Sequence, residues 1–130
     1  MIVSSKGRYA MRVMQVLALA PEGEYIPLKH IAQSEEISRK YLESIMTVLS
    51  KGGLVDASHG KNGGYRLNRP LEEYTVAEIL RLTEGDLSPV ACSAQCERAG
   101  QCRNRPMWDR LSHMIDEFFE GITLAELMEG

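Results

Sequence analysis

Every cysteine in the chain, three in all, falls within Cys92-Ser93-Ala94-Gln95-Cys96-Glu97-Arg98-Ala99-Gly100-Gln101-Cys102. A disulfide would use two thiols and leave one over, whereas a metal ion or an iron–sulfur cluster can take all three as thiolates. Thiolates favour iron–sulfur clusters, zinc and copper(I), and four protein ligands are the norm for the first two. The fourth ligand could be a carboxylate, a histidine, a small thiol or solvent. Glu97 lies inside the loop, His113 lies farther along the chain, and Glu35 could come from a facing subunit. The enzymatic alternative is a nucleophilic Cys92 or Cys96. It finds no histidine at a spacing that suggests a base, and neither a phosphate-binding glycine loop nor a carboxylate pair.

Which chemistry the thiols do depends on where the chain works. Its 130 residues allow one core of ordinary size without disulfide staples. No apolar run approaches the roughly 18–20 residues that span a bilayer, and Met1-Ile2-Val3-Ser4-Ser5-Lys6 does not read as a secretory signal. The expected compartment is the cytoplasm, where thiols stay reduced and no membrane partner is called for. Charge divides the chain. Through Pro70 ten Lys and Arg face six Asp and Glu, and beyond it five face twelve, so a net charge of +4 gives way to −7. A basic front half on an acidic whole suits a protein whose front meets a polyanion.

The elements that would hold such a front can be read in order. Ser4 and Ser5 can cap a helix reaching Leu19, with Ala10, Val13, Met14 and Leu17 at helical spacing. Its cations Lys6, Arg8 and Arg12 could grip a phosphate backbone or simply face solvent. Pro27 is placed to start a second helix, Leu28 to Ser34, and Ser38 to cap a third, Arg39 to Lys51, that buries Leu42, Ile45 and Leu49. Two short helices joined by a tight turn form either an ordinary hairpin or a helix-turn-helix. In the second case Ser38, Arg39, Lys40, Tyr41 and Glu43 stand where a recognition helix meets base edges in the major groove.

Leu54–Ala57 and Tyr65–Leu67 read as strands around Ser58-His59-Gly60-Lys61-Asn62-Gly63-Gly64, a hairpin tip. A helix-turn-helix followed at once by a hairpin is a winged helix. Its tip, with His59, Gly60, Lys61, Gly63 and Gly64, would face the sugar-phosphate backbone or the minor groove. Thr75-x-x-Glu78 and Thr123-x-x-Glu126 are capping boxes for a fourth and a last helix. Between them, from Pro106, the residues Met107, Trp108, Leu111, Met114, Ile115, Phe118 and Phe119 make an apolar stripe. The stripe exceeds what the modest core can cover, so Trp108, Leu111, Met114, Ile115 and Phe118 are expected in a homodimer interface, which suits a pseudo-palindromic double-stranded DNA site. The expected class is mainly α: a winged helix-turn-helix over residues 1–84, a cysteine-containing sensor loop over 85–105, and a dimerisation helix with a short last helix over 106–130.

Separate motifs in this order resemble the bacterial IscR/NsrR/CymR family of winged-helix transcription regulators. They are Ser5-Lys6-Gly7-Arg8-Tyr9-Ala10, Ile37-Ser38 with Tyr41-Leu42-Glu43, Gly53-Leu54-Val55 leading to Gly63-Gly64-Tyr65, and Ile122-Thr123-Leu124. The resemblance covers nearly the whole chain. It implies a dimeric regulator whose members mostly carry an iron–sulfur cluster of the two-iron two-sulfur or four-iron four-sulfur type, sensing cluster supply, iron, nitric oxide or redox state. It also implies that some members lack the cysteines and respond to a partner protein of cysteine metabolism. Members similar to this chain place a glutamate at the position of Glu43 and use it to restrict which DNA sites bind. Cys92, Cys96 and Cys102 are the ligands so implied. Two departures stand out: Cys92-x3-Cys96-x5-Cys102 has a shorter first gap than cluster-binding members usually have, and Arg105 stands where a histidine completes the ligand set in IscR. A charged arginine cannot ligate iron. Zinc or bare redox thiols remain the alternative use of the same loop.

Overall fold

Ser4, Ser38, Thr75 and Thr123 each accept a hydrogen bond from the backbone N–H three residues ahead, at 3.1 to 3.2 Å, and each opens a helix. These caps satisfy donors that a helix start otherwise leaves unpaired. A computed structural model describes residues 3–90, 98 and 100–130 of the protein. The helices are α1 (Ser5–Leu19), α2 (Leu28–Glu35), α3 (Arg39–Lys51), α4 (Val76–Glu84), α5 (Arg105–Glu120) and α6 (Leu124–Glu129), with two antiparallel strands, β1 (Val55–Ser58) and β2 (Gly64–Leu67), between α3 and α4. The expected mainly α winged helix-turn-helix is what forms.

Boundaries match the sequence reading to within a residue or so, with physical reasons for the differences. Pro27 is the N-cap of α2 and lies just outside the helix. The turn between α2 and α3 passes through Glu36 at φ 55° and ψ 45°, a left-handed conformation that side chains adopt at a cost. The N–H groups of Glu36 and Ile37 both return to the Ala32 carbonyl, and Ile37 is buried, which holds the turn closed.

The main core joins Ala10, Val13, Met14 and Leu17 of α1 to Leu42, Ile45, Met46 and Leu49 of α3, with Ile31, Leu54, Tyr74, Ile79 and Leu124 closing it. A smaller cluster, Val76, Ala77, Leu80 and Leu87, forms on another side of α4 and takes in the half-buried Ile115 and Phe119 of α5. The apolar stripe of α5 therefore divides. Ile115 and Phe119 pack inward, while Met107, Leu111, Met114 and Phe118, spaced by four, three and four residues, stay exposed.

The wing is tied back at two places. Strand pairing runs in the register Val55↔Leu67 to Ser58↔Gly64, and Tyr65 also exchanges both backbone hydrogen bonds with Ile26, at 2.8 and 2.9 Å. Gly64 is required by that closeness, because a Cβ there would run into the Ile26 carbonyl. At the wing's base the fully buried Tyr74 donates its hydroxyl proton to the Leu54 carbonyl at 2.7 Å and accepts from the Asn68 N–H at 2.9 Å. Its main chain accepts from Leu124 N–H while Val76 N–H donates to Ile122, so the starts of α4 and α6 pair back to back.

Burial pushes the Tyr74 hydroxyl above its ordinary pKa. Tyr74→Phe leaves the Leu54 carbonyl and Asn68 N–H without this partner, and denaturant unfolding should show a loss of about 1–3 kcal/mol. An acid whose folded pKa is raised contributes stability that is full below its unfolded value, about 10, and is lost as pH rises above it. The gap between wild type and Tyr74→Phe should therefore narrow above about pH 10; a gap that stays constant there would contradict this role of the buried hydroxyl.

Candidate nucleic-acid interface

The N-cap Ser38 fixes where α3 begins and so which side chains its first turns present. Ser38, Arg39, Lys40 and Glu43 are exposed, and Tyr41 is half-buried. Tyr41 packs edge-on against Tyr9 of α1, with ring centroids 5.8 Å apart. That contact brings the first turns of α1, with Lys6 half-buried and Arg8 exposed, beside the start of α3. Arg8 donates to Ser5 Oγ at 3.1 Å within its own helix.

Ion pairing separates the cations into two sets. Arg12 lies over the Tyr9 ring and binds both the Glu35 carboxylate at 2.9 Å and the Glu35 carbonyl at 3.0 Å, which ties α1 to the end of α2. Arg66 pairs with Asp56 across the wing, donates to the Gly23 carbonyl and stacks on Tyr25. Arg69 pairs with Glu78 at 2.8 Å, and Arg81 with Asp116 and Glu120 at 3.2 and 2.7 Å. Lys6, Arg8, Arg39, Lys40 and Lys61 have no acidic partner among the described residues. The paired arginines tie parts of the fold together. Lys29, Lys51, Arg98, Arg103 and Arg110 also have no acidic partner among the described residues, so what marks Lys6, Arg8, Arg39, Lys40 and Lys61 is their place on the start of α1, the start of α3 and the wing.

The wing tip turns through Gly60 to Gly63, whose N–H returns to the Gly60 carbonyl at 3.1 Å. His59, Gly60 and Lys61 are exposed there, and Gly63 is half-buried. Gly64 is buried, and its close neighbours are the protein's own Ile26 and Pro27.

Cys92, Cys96 and Glu97 lie outside the described residues. Cys102 is a free, half-buried thiol in a turn where its N–H donates to the Arg98 carbonyl at 2.7 Å. Of the other candidate ligands, His113 pairs with Glu117 at 3.0 Å and Glu35 is held by Arg12. Arg105 lies within 3.8 Å of Asp109. Among the described residues no three His, Cys, Asp or Glu side chains gather as a metal-holding set. The donor set itself, three thiols in eleven residues, has the chemistry a cluster or zinc requires. On α5 the dimer candidates Leu111, Met114 and Phe118 are exposed, Trp108 is half-buried, and Ile115 packs toward α4.

Several residues that shape this surface carry no local signal. Tyr9 and Arg12 act through partners on other helices, and Glu84 at the end of α4 accepts from Ser4 at the start of α1 across 80 residues of sequence. A glycine at position 7 in the first turn of a helix is the one hint in the sequence that something lies close to that turn.

The profile of the Rrf2 family, described as an iron-dependent transcriptional regulator, matches residues 3–130. The HTH-type transcriptional regulator IscR of Aliivibrio salmonicida is 35% identical over 130 residues, covering 98% of this chain and 77% of that protein. The structure of CymR, the global cysteine regulator of B. subtilis, superposes with a TM-score of 0.82 at 33% identity, over 99% of this chain and 97% of that one. IscR of T. potens does so with a TM-score of 0.77 at 32% identity, over 99% and 87%. No helix among the described residues is long and apolar enough to cross a membrane. With a winged helix-turn-helix and this family match along nearly its whole length, the chain belongs to the Rrf2 family of DNA-binding transcriptional regulators.

Proposed function

We propose that this regulator binds a pseudo-palindromic duplex as a homodimer and that its three-cysteine loop holds an iron–sulfur cluster that sets its DNA affinity. The observation that carries the DNA-contact part is the winged helix-turn-helix itself, with exposed cations at the start of α1, the start of α3 and the wing tip. Arg8, Arg39, Lys40 and Lys61 are exposed there without an acidic partner among the described residues, a state they share with Lys29, Lys51, Arg98, Arg103 and Arg110 elsewhere on the chain. Lys6, Arg8, His59 and Lys61 then hold phosphates, the Gly60 and Gly63 turn lets the wing approach the backbone, and Arg39 and Lys40 reach phosphate or guanine. Ser38 and Tyr41 set the position of α3 against the groove. Glu43 accepts from a cytosine amino group and penalises other bases.

Met107, Leu111, Met114 and Phe118 form the exposed apolar row against which a second copy would pack, with Trp108 and Ile115 at its edge. Cys92, Cys96 and Cys102 supply the thiolates for the cluster, and the fourth ligand is not Arg105. When bound, such a cluster supplies a redox-active centre that responds to oxidant, nitric oxide or iron supply. The proposed control is two-state: the ligated loop favours one placement of α5 and of the paired recognition helices, and the free loop another. Arg105 in place of the histidine of IscR favours a second reading, in which the same thiols hold zinc or act as bare redox groups.

Anaerobic purification followed by a visible spectrum with iron, sulfide and zinc analysis separates the readings. The cluster reading expects a brown protein that bleaches in air and a colourless Cys96→Ser variant; stoichiometric zinc, or colourless protein after reconstitution, would reject it. Phe118→Glu should convert a dimer into a monomer in sedimentation at micromolar concentration, since a buried unpaired charge costs several kcal/mol. An unchanged dimer would place the interface elsewhere. Glu43→Ala should relax preference at one position of each half-site by about 1–3 kcal/mol while binding persists, as read by selection from random duplexes. Identical discrimination at every position would remove Glu43 from base readout.

A further inference from the structure

Helix α4 ends at Glu84, and its carboxylate lies on the first turn of α1. One oxygen, Oε1, accepts from both the Ser4 N–H at 2.9 Å and the Ser4 hydroxyl at 2.6 Å. The same Ser4 Oγ accepts from the Gly7 N–H at 3.1 Å, so a carboxylate, a hydroxyl and a helix N–H form one chain of hydrogen bonds. Gly7 is buried at this contact, and a Cβ on it would run into Glu84 Oε1. The negative group also sits at the positive end of the α1 dipole. Three features thus converge: a doubly bonded carboxylate, a cap that it polarises, and a glycine that leaves it room.

We propose that Glu84 is a positioning residue for DNA binding, acting through Ser4 to hold the first turns of α1 where Lys6 and Arg8 engage phosphate. The proposal rests on the DNA-contact reading given above and assigns to it a residue that touches no DNA itself. Its mechanism is order. Without the carboxylate the first turn frays, and the cations it carries lose the fixed placement that a phosphate contact needs. Glu84 is the last residue of α4, with Gly85 at φ +76° immediately after it, so the grip on α1 depends on where α4 stops.

Charge alone predicts the opposite outcome. A carboxylate near a phosphate-facing helix start repels DNA, so removing it as a charge tightens binding, whereas removing it as a latch weakens binding. The test uses the full chain and a labelled duplex carrying a site selected by the wild-type protein, titrated over a range of salt concentrations. Glu84→Ala should weaken binding about tenfold and lower the slope of log affinity against log salt by about one to two, the loss of one or two phosphate contacts. Glu84→Gln keeps an acceptor oxygen and should stay within about twofold of wild type. Ser4→Ala reaches the same latch from the other side, and should weaken binding in the same direction; it decides the matter if Glu84→Ala fails to fold by circular dichroism.

Combination with Lys6→Ala and Arg8→Ala completes the cycle. Adding Glu84→Ala to that pair should cost no further affinity, because the cations it positions are gone. Tighter or unchanged binding by Glu84→Ala, or a full additive loss on top of the pair, overturns the latch. If the Lys6→Ala, Arg8→Ala pair alone leaves affinity and salt slope unchanged, the assignment of α1 to phosphate fails, and the latch fails with it. A weak pair together with an additive Glu84→Ala overturns the latch alone.

Discussion

Tyr74 joins three parts of the molecule that sequence alone places far apart. Its hydroxyl binds Leu54 and Asn68 at the base of the wing, its ring is buried in the main core, and its carbonyl receives the N–H of Leu124 at the start of α6. Two short strands are marginal by themselves and need packing against something else to stay folded. Tyr74 and the Ile26–Tyr65 pairing supply that support, the first at the wing's base and the second along β2. The wing is therefore anchored to the helical core at its base by Tyr74 and along β2 by the pairing with Ile26.

The same economy governs charge. An arginine within a small fold can serve as a structural clamp, and Arg12, Arg66, Arg69 and Arg81 each bridge two elements. Arg12 is instructive because sequence alone leaves it, with Lys6 and Arg8, as either a phosphate-facing or a solvent-facing cation. Its two bonds to Glu35 place it instead at the C-terminal end of α2, where a guanidinium can satisfy a carbonyl left open by the helix end. Exposed ion pairs contribute little stability one by one. Their larger effect here is to tie separate parts of the fold together.

What was legible in the sequence was what is local. Ser38 and Thr75 announced their helices because an N-cap acts over three residues, and the spacing of Leu42, Ile45 and Leu49 showed the buried face of α3 for the same reason. Glu78 shows where locality stops. Thr75-x-x-Glu78 reads as a reciprocal capping box, and Thr75 does its half, but the Glu78 carboxylate is bound by Arg69. The stripe on α5 reads as one face because periodicity cannot tell a surface packed on α4 from one left bare, and only the fold divides Ile115 and Phe119 from Met114 and Phe118. For the candidate DNA surface, residue types pointed to the helix and wing, while the contact of Tyr9 with Tyr41 that brings α1 beside α3 came from tertiary structure. The cysteine count was plain from the start, yet a count of thiols leaves the choice of ligand open.

Helix α4 is where these separate contacts meet. Ile79 lies in the main core, Val76, Ala77 and Leu80 form the smaller one, Arg81 holds Asp116 and Glu120 of α5, and Glu84 holds Ser4 of α1. A rotation of α4 large enough to reseat α5 would have to break or carry along the contact with Ser4, because packed interiors shift between discrete arrangements and do not deform smoothly. The smaller core makes such a shift less costly than it would be in the main one, since among the described residues it has four buried side chains and its α5 members are only half-buried. An element embedded firmly on one side and lightly on the other thus joins the C-terminal helix to the start of α1 through Arg81 and Glu84.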